Sequence, residues 1–383
     1  MLEGERLEEA VRQLVSKFET VNRLYLDKIA AQIKKIGELN PSSMSIISIM
    51  SSVNEDMSEV NAALRDALSI NRAELNGLYQ RALTEIYEDK RFERALKETP
   101  LSPEGRERVE RFTQATARQT AGVIDNLSNT TIQADSYRQA VDTAILAVSS
   151  GMGDYQSATR GVIRKLGHAG MQVRYPSGYH RRLDTAVRQN VLDGAKQIAQ
   201  ECSHMIGEDL GFDAVEISAH ARSAPDHEPV QGHVLYKEEY ELMQAGESFT
   251  DVDGQHFSGF PRPIAEWNCM HFATSFSTEY SVRRYTPETL AKFIQDNHDG
   301  CTIGDKHYTL YQAGQLMRQI ETQIRREKDT AITAEKADNL LERTACQEKI
   351  NKLSRQYSQV AKAAGIKERR NRMTVDGFHP LRL

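Results

Sequence analysis

The chain has 383 residues, of which 39% are hydrophobic and 27% charged, with a formal net charge of −5. This is too polar for one large core and too apolar for disorder, which suggests elongated helices around modest cores in two or three domains. It also excludes a polycation seeking nucleic acid, a disulfide scaffold (four widely spaced cysteines, no CxxC), and a chain with a signal peptide or a membrane span.

Leu7, Val11, Leu14, Phe18, Val21 and Tyr25 are spaced 4, 3, 4, 3 and 4, and Ile29, Ile33 and Ile36 extend them. The repeat predicts one long helix with a narrow apolar seam, stopped by Gly37 and Pro41. The seam serves either a neighbouring helix or another subunit. A second helix is predicted from about Ser51 to Leu96, with Gly77 as a bend, and would fold back as a hairpin arm. Ser102, Pro103 and Glu104 supply an N-cap, a first-turn proline and an acid at the positive helix end. They predict a third helix to about Asn126, and a fourth follows from about Gln133 to Val148. No strand signal precedes residue 150.

Near residue 150, at the Ser149–Asp154 loop, the pattern changes. A short helix is predicted over Tyr155 to Leu166, a strand over Met171 to Tyr175, a turn at Pro176–Gly178 and a helix from about His180 to Met205. Alternation then predicts a strand at Ala214–Ser218, with others at His233–Tyr236 and Phe272–Phe276 and long Gly/Pro/Asp-rich loops between. From Thr286 the chain turns helical, and Tyr308 to about Ala364 carries interspersed charges that describe a solvated helix or helix pair. The fold class is therefore mainly α with an α+β domain holding a small antiparallel sheet. The expected division is a helical arm or bundle over 1–150, an α+β domain over 151–285, and a charged helical region with a basic end over 286–383.

Chemically able residues crowd into Ser218–Gly232 and Trp267–Phe272, both at strand ends where function often resides. His220, His227, Cys269 and His271 are ligand types for Zn²⁺, and residues i and i+2 of a strand share a face. In the plainer alternative, His220 and Asp226 pin the strand ends by hydrogen bonds, and Cys269 and Trp267 are simply buried. Cys269 with a histidine base could act as a nucleophile. His220 and His227 with Arg222 could exchange protons at a phosphodiester. Arg181, Arg182 and Arg188 are expected to meet acidic neighbours or sheet loops. Arg369, Arg370 and Arg372 form either a solvated tail or a contact for DNA.

Taken in order, these residues resemble the phage minor capsid protein 2 family, a relative of the Mu F-type head morphogenesis domain. The resemblance is carried by His220, Ala221 with Arg222, His227, Gln231 with Gly232, and Asn268, Cys269 and His271. Upstream, Tyr175, Ser177, Gly178, Ala186, Val187 and Arg188 fit it. Downstream, Tyr308, Tyr311, Gln315, Gln319, Glu321, Ile324 and Arg325 do so, giving a likeness over roughly 150–372. Met270 departs from it, standing where the family pattern expects Arg, as does an inserted-looking Ser223–Ala224 run. The arm before residue 150 shows no recognisable motif.

The resemblance implies a structural, non-enzymatic head protein, made in a bacterial host cytoplasm and placed in the virion. It would act in head assembly near the portal or inner capsid, with portal, major capsid or scaffold proteins as partners. The N-terminal helices would provide self-association, and no membrane is involved. His220, Arg222, Asp226, His227, Gln231, Gly232, Asn268, Cys269 and His271 would form its structural polar cluster. No cofactor is expected, with Zn²⁺ the one ion the residue types admit. The alternatives are a DNA-associated protein packaged and ejected with the genome, and, third, a nuclease-like toxin or processing domain.

Overall fold

The computed structural model describes residues 5–37, 43–69, 72–88, 90–132, 139, 141–143, 145, 155–259, 262–265 and 269–382. It is mainly α, 65% helical with 9% strand in small antiparallel sheets. The first helices are α1 (Glu5–Gly37), α2 (Ser43–Leu68), α3 (Arg72–Tyr87), α4 (Lys90–Glu98) and α5 (Pro103–Thr130). The chain forms two compact units. One comprises Met1–Val11, Asn71–Gly122 and Gln189–Gly314, and the other Arg12–Ile70, Val123–Arg188 and Gln315–Leu383.

In the second unit the periodic seam of α1 is filled by the chain itself. Leu14, Phe18, Val21, Tyr25, Ile29, Ile33 and Ile36 are all buried, as is Val11 at the end of the first unit's segment; the side chain of Leu7 lies outside the description. Each such residue contributes roughly 1.5–3 kcal/mol on leaving water. Lys28 reaches Glu59 at 2.5 Å and Gln32 reaches Ser52 at 3.0 Å, so α1 and α2 run antiparallel. The expected hairpin is present, and the seam meets neighbouring helices of the same chain.

The single second helix expected from Ser51 to Leu96 is instead three. α2 begins earlier, at Ser43, and ends at Leu68, where the Ser69 hydroxyl donates to the Asp66 carbonyl at 2.6 Å and competes with a further turn. Gly77 is no bend: it sits inside α3. Ser102 is the expected cap of α5, its Oγ accepting the Gly105 N–H at 2.9 Å. The helix expected over 133–148 and the loop after it lie largely outside the described residues.

A short strand, β1 (Thr131–Ile132), overturns the expectation of none before residue 150. Two residues cannot show alternation, and pairing with distant β2 (Gln172–Arg174) creates the strand. Helix α6 (Tyr155–Val162) runs into a π-turn, Ile163–Gly167. β3 (His180–Arg182) pairs with β2 where a helix start was expected, and α7 begins only at Leu183 and runs to Asp209. Arg182 is buried against Asp184 and Asp329, the acidic company expected of it.

Helices α10 (Leu310–Lys336) and α11 (Leu340–Ala363) form the expected pair, divided at Asp338 (φ +55°) and Asn339, whose side chain accepts the Glu342 N–H at 3.1 Å. They are not merely solvated. Glu327, Asp329, Glu342 and Arg343 are buried, and Glu342 takes Arg164 at 2.9 Å and Arg160 at 3.3 Å. Charge spacing alone does not distinguish a wet face from internal ion pairing.

The first unit contains the α+β part. β4 (Ala214–Ile217) lies between β5 (Val234–Tyr236) and β8 (Ala273–Phe276), both antiparallel to it. The loops between hold elements too short to read: α8 (Lys237–Gln244) and the hairpin β6 (Phe249–Thr250)–β7 (His256–Phe257). α9 (Pro287–Asp299) follows. The hairpin β9 (Cys301–Ile303)–β10 (Lys306–Tyr308) then interrupts the expected helical run, turning at Gly304 with φ +61°. β4 and β8 are buried along their whole length. One packing partner is α7, where Ser203 accepts the Ser275 N–H at 3.0 Å. Val215, Ile217, Leu235, Phe249 and Phe257 join one apolar cluster.

Candidate functional site

β4 and β8 pair up to Ile217↔Ala273, so the chain leaving β4 and the chain entering β8 meet at one sheet end. Two hydrogen bonds extend the pairing. The Ser218 N–H donates to the Phe272 carbonyl and the Phe272 N–H to the Ser218 hydroxyl, each at 2.8 Å. This places His220 against His271, their rings stacked with centroids 4.5 Å apart.

The loop after β4 folds back through tight turns. The Gly232 N–H bonds to the Ile217 carbonyl at 3.0 Å. Gly232 has φ +78°, and a Cβ there would lie 2.2 Å from Leu290 of α9. Only glycine satisfies both conditions. The Gln231 Oε1 accepts the His220 N–H at 3.0 Å and lies 3.4 Å from His271 Nε2. Ser223 Oγ is 3.3 Å from the same nitrogen.

His227 and His271 are nearly inaccessible, at 1% and 2% exposure. Between them sits Cys269, its Sγ 3.5 Å from His227 Nδ1 and 3.4 Å from His271 Nδ1. Burial pushes the Cys269 thiol up, but hydrogen bonds from the two histidines outweigh it and bring it down to about 5. His227 is raised: burial lowers it, and the bond to Cys269 more than compensates. His220 is the opposite case. Burial, then the charges of His271 and Arg222, hold it down at about 3.

Of the four residues with zinc-ligand character in the sequence, His227, Cys269 and His271 converge, with their ligand atoms all within 4.8 Å of one another. His220 stands outside that trio, stacked on it. Its Nδ1 accepts the Arg222 N–H at 3.2 Å. Asp226 forms a bidentate pair with Arg262, at 2.9 and 3.0 Å. Burial raises the Asp226 carboxyl, but the Arg262 bonds prevail and hold it below the usual carboxylate range. Asn268 and Trp267 lie outside the described residues. Arg369, Arg370 and Arg372 belong to the other unit: Arg370 pairs with Glu368 at 2.6 Å, and the Arg369 N–H donates to Tyr357 Oη at 2.9 Å.

Several supporting residues carried no local signal. Arg262 offers its carbonyl to His227 Nε2 at 3.1 Å. Lys196 of α7 donates to the Cys269 carbonyl at 2.9 Å. Asn297 donates to Glu228 at 2.6 Å and to the Ser223 carbonyl at 3.3 Å, and His298 holds the second Glu228 oxygen at 2.7 Å, so α9 clamps the loop. Glu228 lay within the segment singled out above; its partners sit about 70 residues away and could be found only by folding.

The arrangement is a thiol flanked by two oriented imidazoles, fixed by loops rather than by regular structure. Compared with known families, residues 2–361 match the model of phage minor capsid protein 2. The chain belongs to the phage minor capsid protein 2 family. The match extends well before residue 150, so the N-terminal helices, which showed no motif of their own, are also part of the family's pattern. Membership carries a structural role in a phage capsid, a place in the virion and interaction with other phage structural proteins. Among curated proteins and among solved structures, nothing matches. No helix among the described residues is long and apolar enough to cross a membrane.

Proposed function

We propose that this chain is a non-enzymatic minor component of the phage head that acts during head assembly, near the portal or the inner capsid surface. The observation that carries the reading is the family match over residues 2–361. The portal, major capsid or scaffold proteins are its partners, reached through exposed helical faces. The filled α1 seam leaves self-association to those same faces.

One feature of the site weighs against the nuclease alternative. A proton donor must reach the scissile phosphodiester, and His227 is buried at 1% exposure. The test is quantitative mass spectrometry of gradient-purified particles and assembly intermediates, combined with cross-linking. A low, reproducible copy number with cross-links to portal or inner capsid residues is expected. Absence from both full particles and intermediates overturns the reading.

A further inference from the structure

Three ligand atoms meet at the open end of the β5–β4–β8 sheet. Four-coordinate zinc holds sulfur at about 2.3 Å and nitrogen at about 2.0–2.1 Å, which makes the sulfur–nitrogen edge of the tetrahedron about 3.6 Å. The two edges here, Cys269 Sγ to Nδ1 of His271 and of His227, are 3.4 and 3.5 Å. They are close to the required geometry before any ion is considered.

The far side of each ring fixes which atom is the ligand. His227 Nε2 faces the Arg262 carbonyl at 3.1 Å, and a carbonyl only accepts, so Nε2 carries the hydrogen. His271 Nε2 faces Gln231 Oε1 at 3.4 Å. That Gln231 atom also accepts the His220 backbone N–H at 3.0 Å, which identifies it as the oxygen. With both rings neutral and the thiol deprotonated, as metal ligation requires, the two Nδ1 lone pairs and the thiolate therefore point at one another with no proton between them. A dication satisfies all three atoms at once. Metal-binding histidines have this second shell, the outer N–H held by a carbonyl or a similar acceptor. The backbone N–H of His271 donates to Sγ at 3.5 Å and suits a thiolate there.

We propose that His227, Cys269 and His271 form a zinc site that fastens the loop after β4 to the segment entering β8. Thiolate with imidazole selects zinc-like ions over calcium or magnesium. Among the described residues the ligands number three, and a water molecule would complete the tetrahedron. His220 is a positioning residue: its ring stacks on His271 and holds it in plane. Asp226 is on the Nε2 side of His227, 3.8 Å from that atom, away from the ligand edge.

The experiment uses the full chain, stripped with a chelator, dialysed, and titrated with Co²⁺ as a spectroscopic stand-in for zinc. The expected result is a single equivalent bound with a thiolate-to-cobalt charge-transfer band, which Zn²⁺ displaces. Cys269→Ser abolishes the band, while Cys301→Ser, which changes a thiol on the β9 hairpin, retains it. Wild-type chain that shows no thiolate–cobalt band overturns the proposal, and so does a folded Cys269→Ser that keeps it. If Cys269→Ser fails to fold, the wild-type titration alone decides.

Discussion

The neutral state of His220 can be tested by its effect on stability. Its imidazole is held at about 3, against 6.5 for an ordinary histidine, by burial and by the charges of His271 and Arg222. Nδ1 accepts a backbone N–H, and Nε2 is buried with no hydrogen-bond partner among the described residues. A second proton would be desolvated as well as repelled. The unfolded chain takes that proton as the pH falls through 6.5, and the folded chain does not until about 3, so folding is fully favoured above 6.5 and weakens below it. From pH 6.5 to 5 the loss is one and a half units at 1.36 kcal/mol each, about 2 kcal/mol. His220→Asn keeps an acceptor near the Nδ1 position and cannot titrate. Urea unfolding of both proteins at pH 7.5 and 5.0 should show the variant less stable at 7.5, since it loses the stack on His271, with the gap narrowing by about 2 kcal/mol at 5.0. A gap that does not change with pH would mean that His220 is solvated in the folded chain, and the electrostatic account of the site would be wrong.

Two further outcomes follow from packing. A Cβ on Gly194 of α7 would lie 2.0 Å from Tyr79 Oη and 2.7 Å from Thr120 Oγ1, and that hydroxyl bonds to Thr120 at 3.1 Å and to the Val191 carbonyl at 3.2 Å. Gly194→Ala should cost about 2–3 kcal/mol despite alanine's better helix propensity. Adding Tyr79→Phe should recover at least about 1 kcal/mol relative to additivity in chemical unfolding, and simple additivity would remove the clash as the cause. Ser102→Ala deletes the α5 cap and the hydroxyl bond to Asp209 at 2.7 Å, for an expected loss of about 1 kcal/mol in thermal unfolding; an unshifted midpoint would show that Asp209 takes over the cap.

What could be read in the sequence was whatever depends on near neighbours. The seam of α1 from Val11 to Ile36, the cap at Ser102 and the strands β4, β5 and β8 each carry their signal within a few residues. The spacing of Cys269 and His271 also indicated one site, because their side chains do converge. What failed depends on distant partners. β1 exists only through β2, and β3 is a strand where its residues read as a helix start. His220 looked like a fourth ligand because residue type says nothing about which way a ring faces; stacking turned it away. The clamp of Asn297 and His298 on Glu228 joins segments separated by about 70 residues, with no periodicity to announce it.

Part of the charge in this chain is buried in ion pairs, and this bears on the choice between the structural and DNA-associated readings. Glu327, Asp329, Glu342, Arg182 and Arg343 are all buried. Such pairs add little net stability over apolar packing, but losing one partner strands a charge at a cost of about 3–5 kcal/mol, so they hold distant segments in one register. The basic tail follows the same pattern. The Arg369 N–H donates to Tyr357 Oη, which donates to Glu321 at 2.8 Å. Burial, with the nearby charge of Arg372, holds the Arg369 guanidinium below its ordinary value, while Glu321 opposes the shift. Arg372 also lies close enough to Arg188 to lower it. Arg370 alone of the three is fully exposed, and Glu368 already meets it. DNA affinity from phosphate contacts falls with salt at a log–log slope of about 0.9 per contact. Three arginines counted along the sequence promise a slope of nearly three, whereas one outward guanidinium supports about one. So weak a footprint means that this tail by itself gives the DNA-associated reading little support.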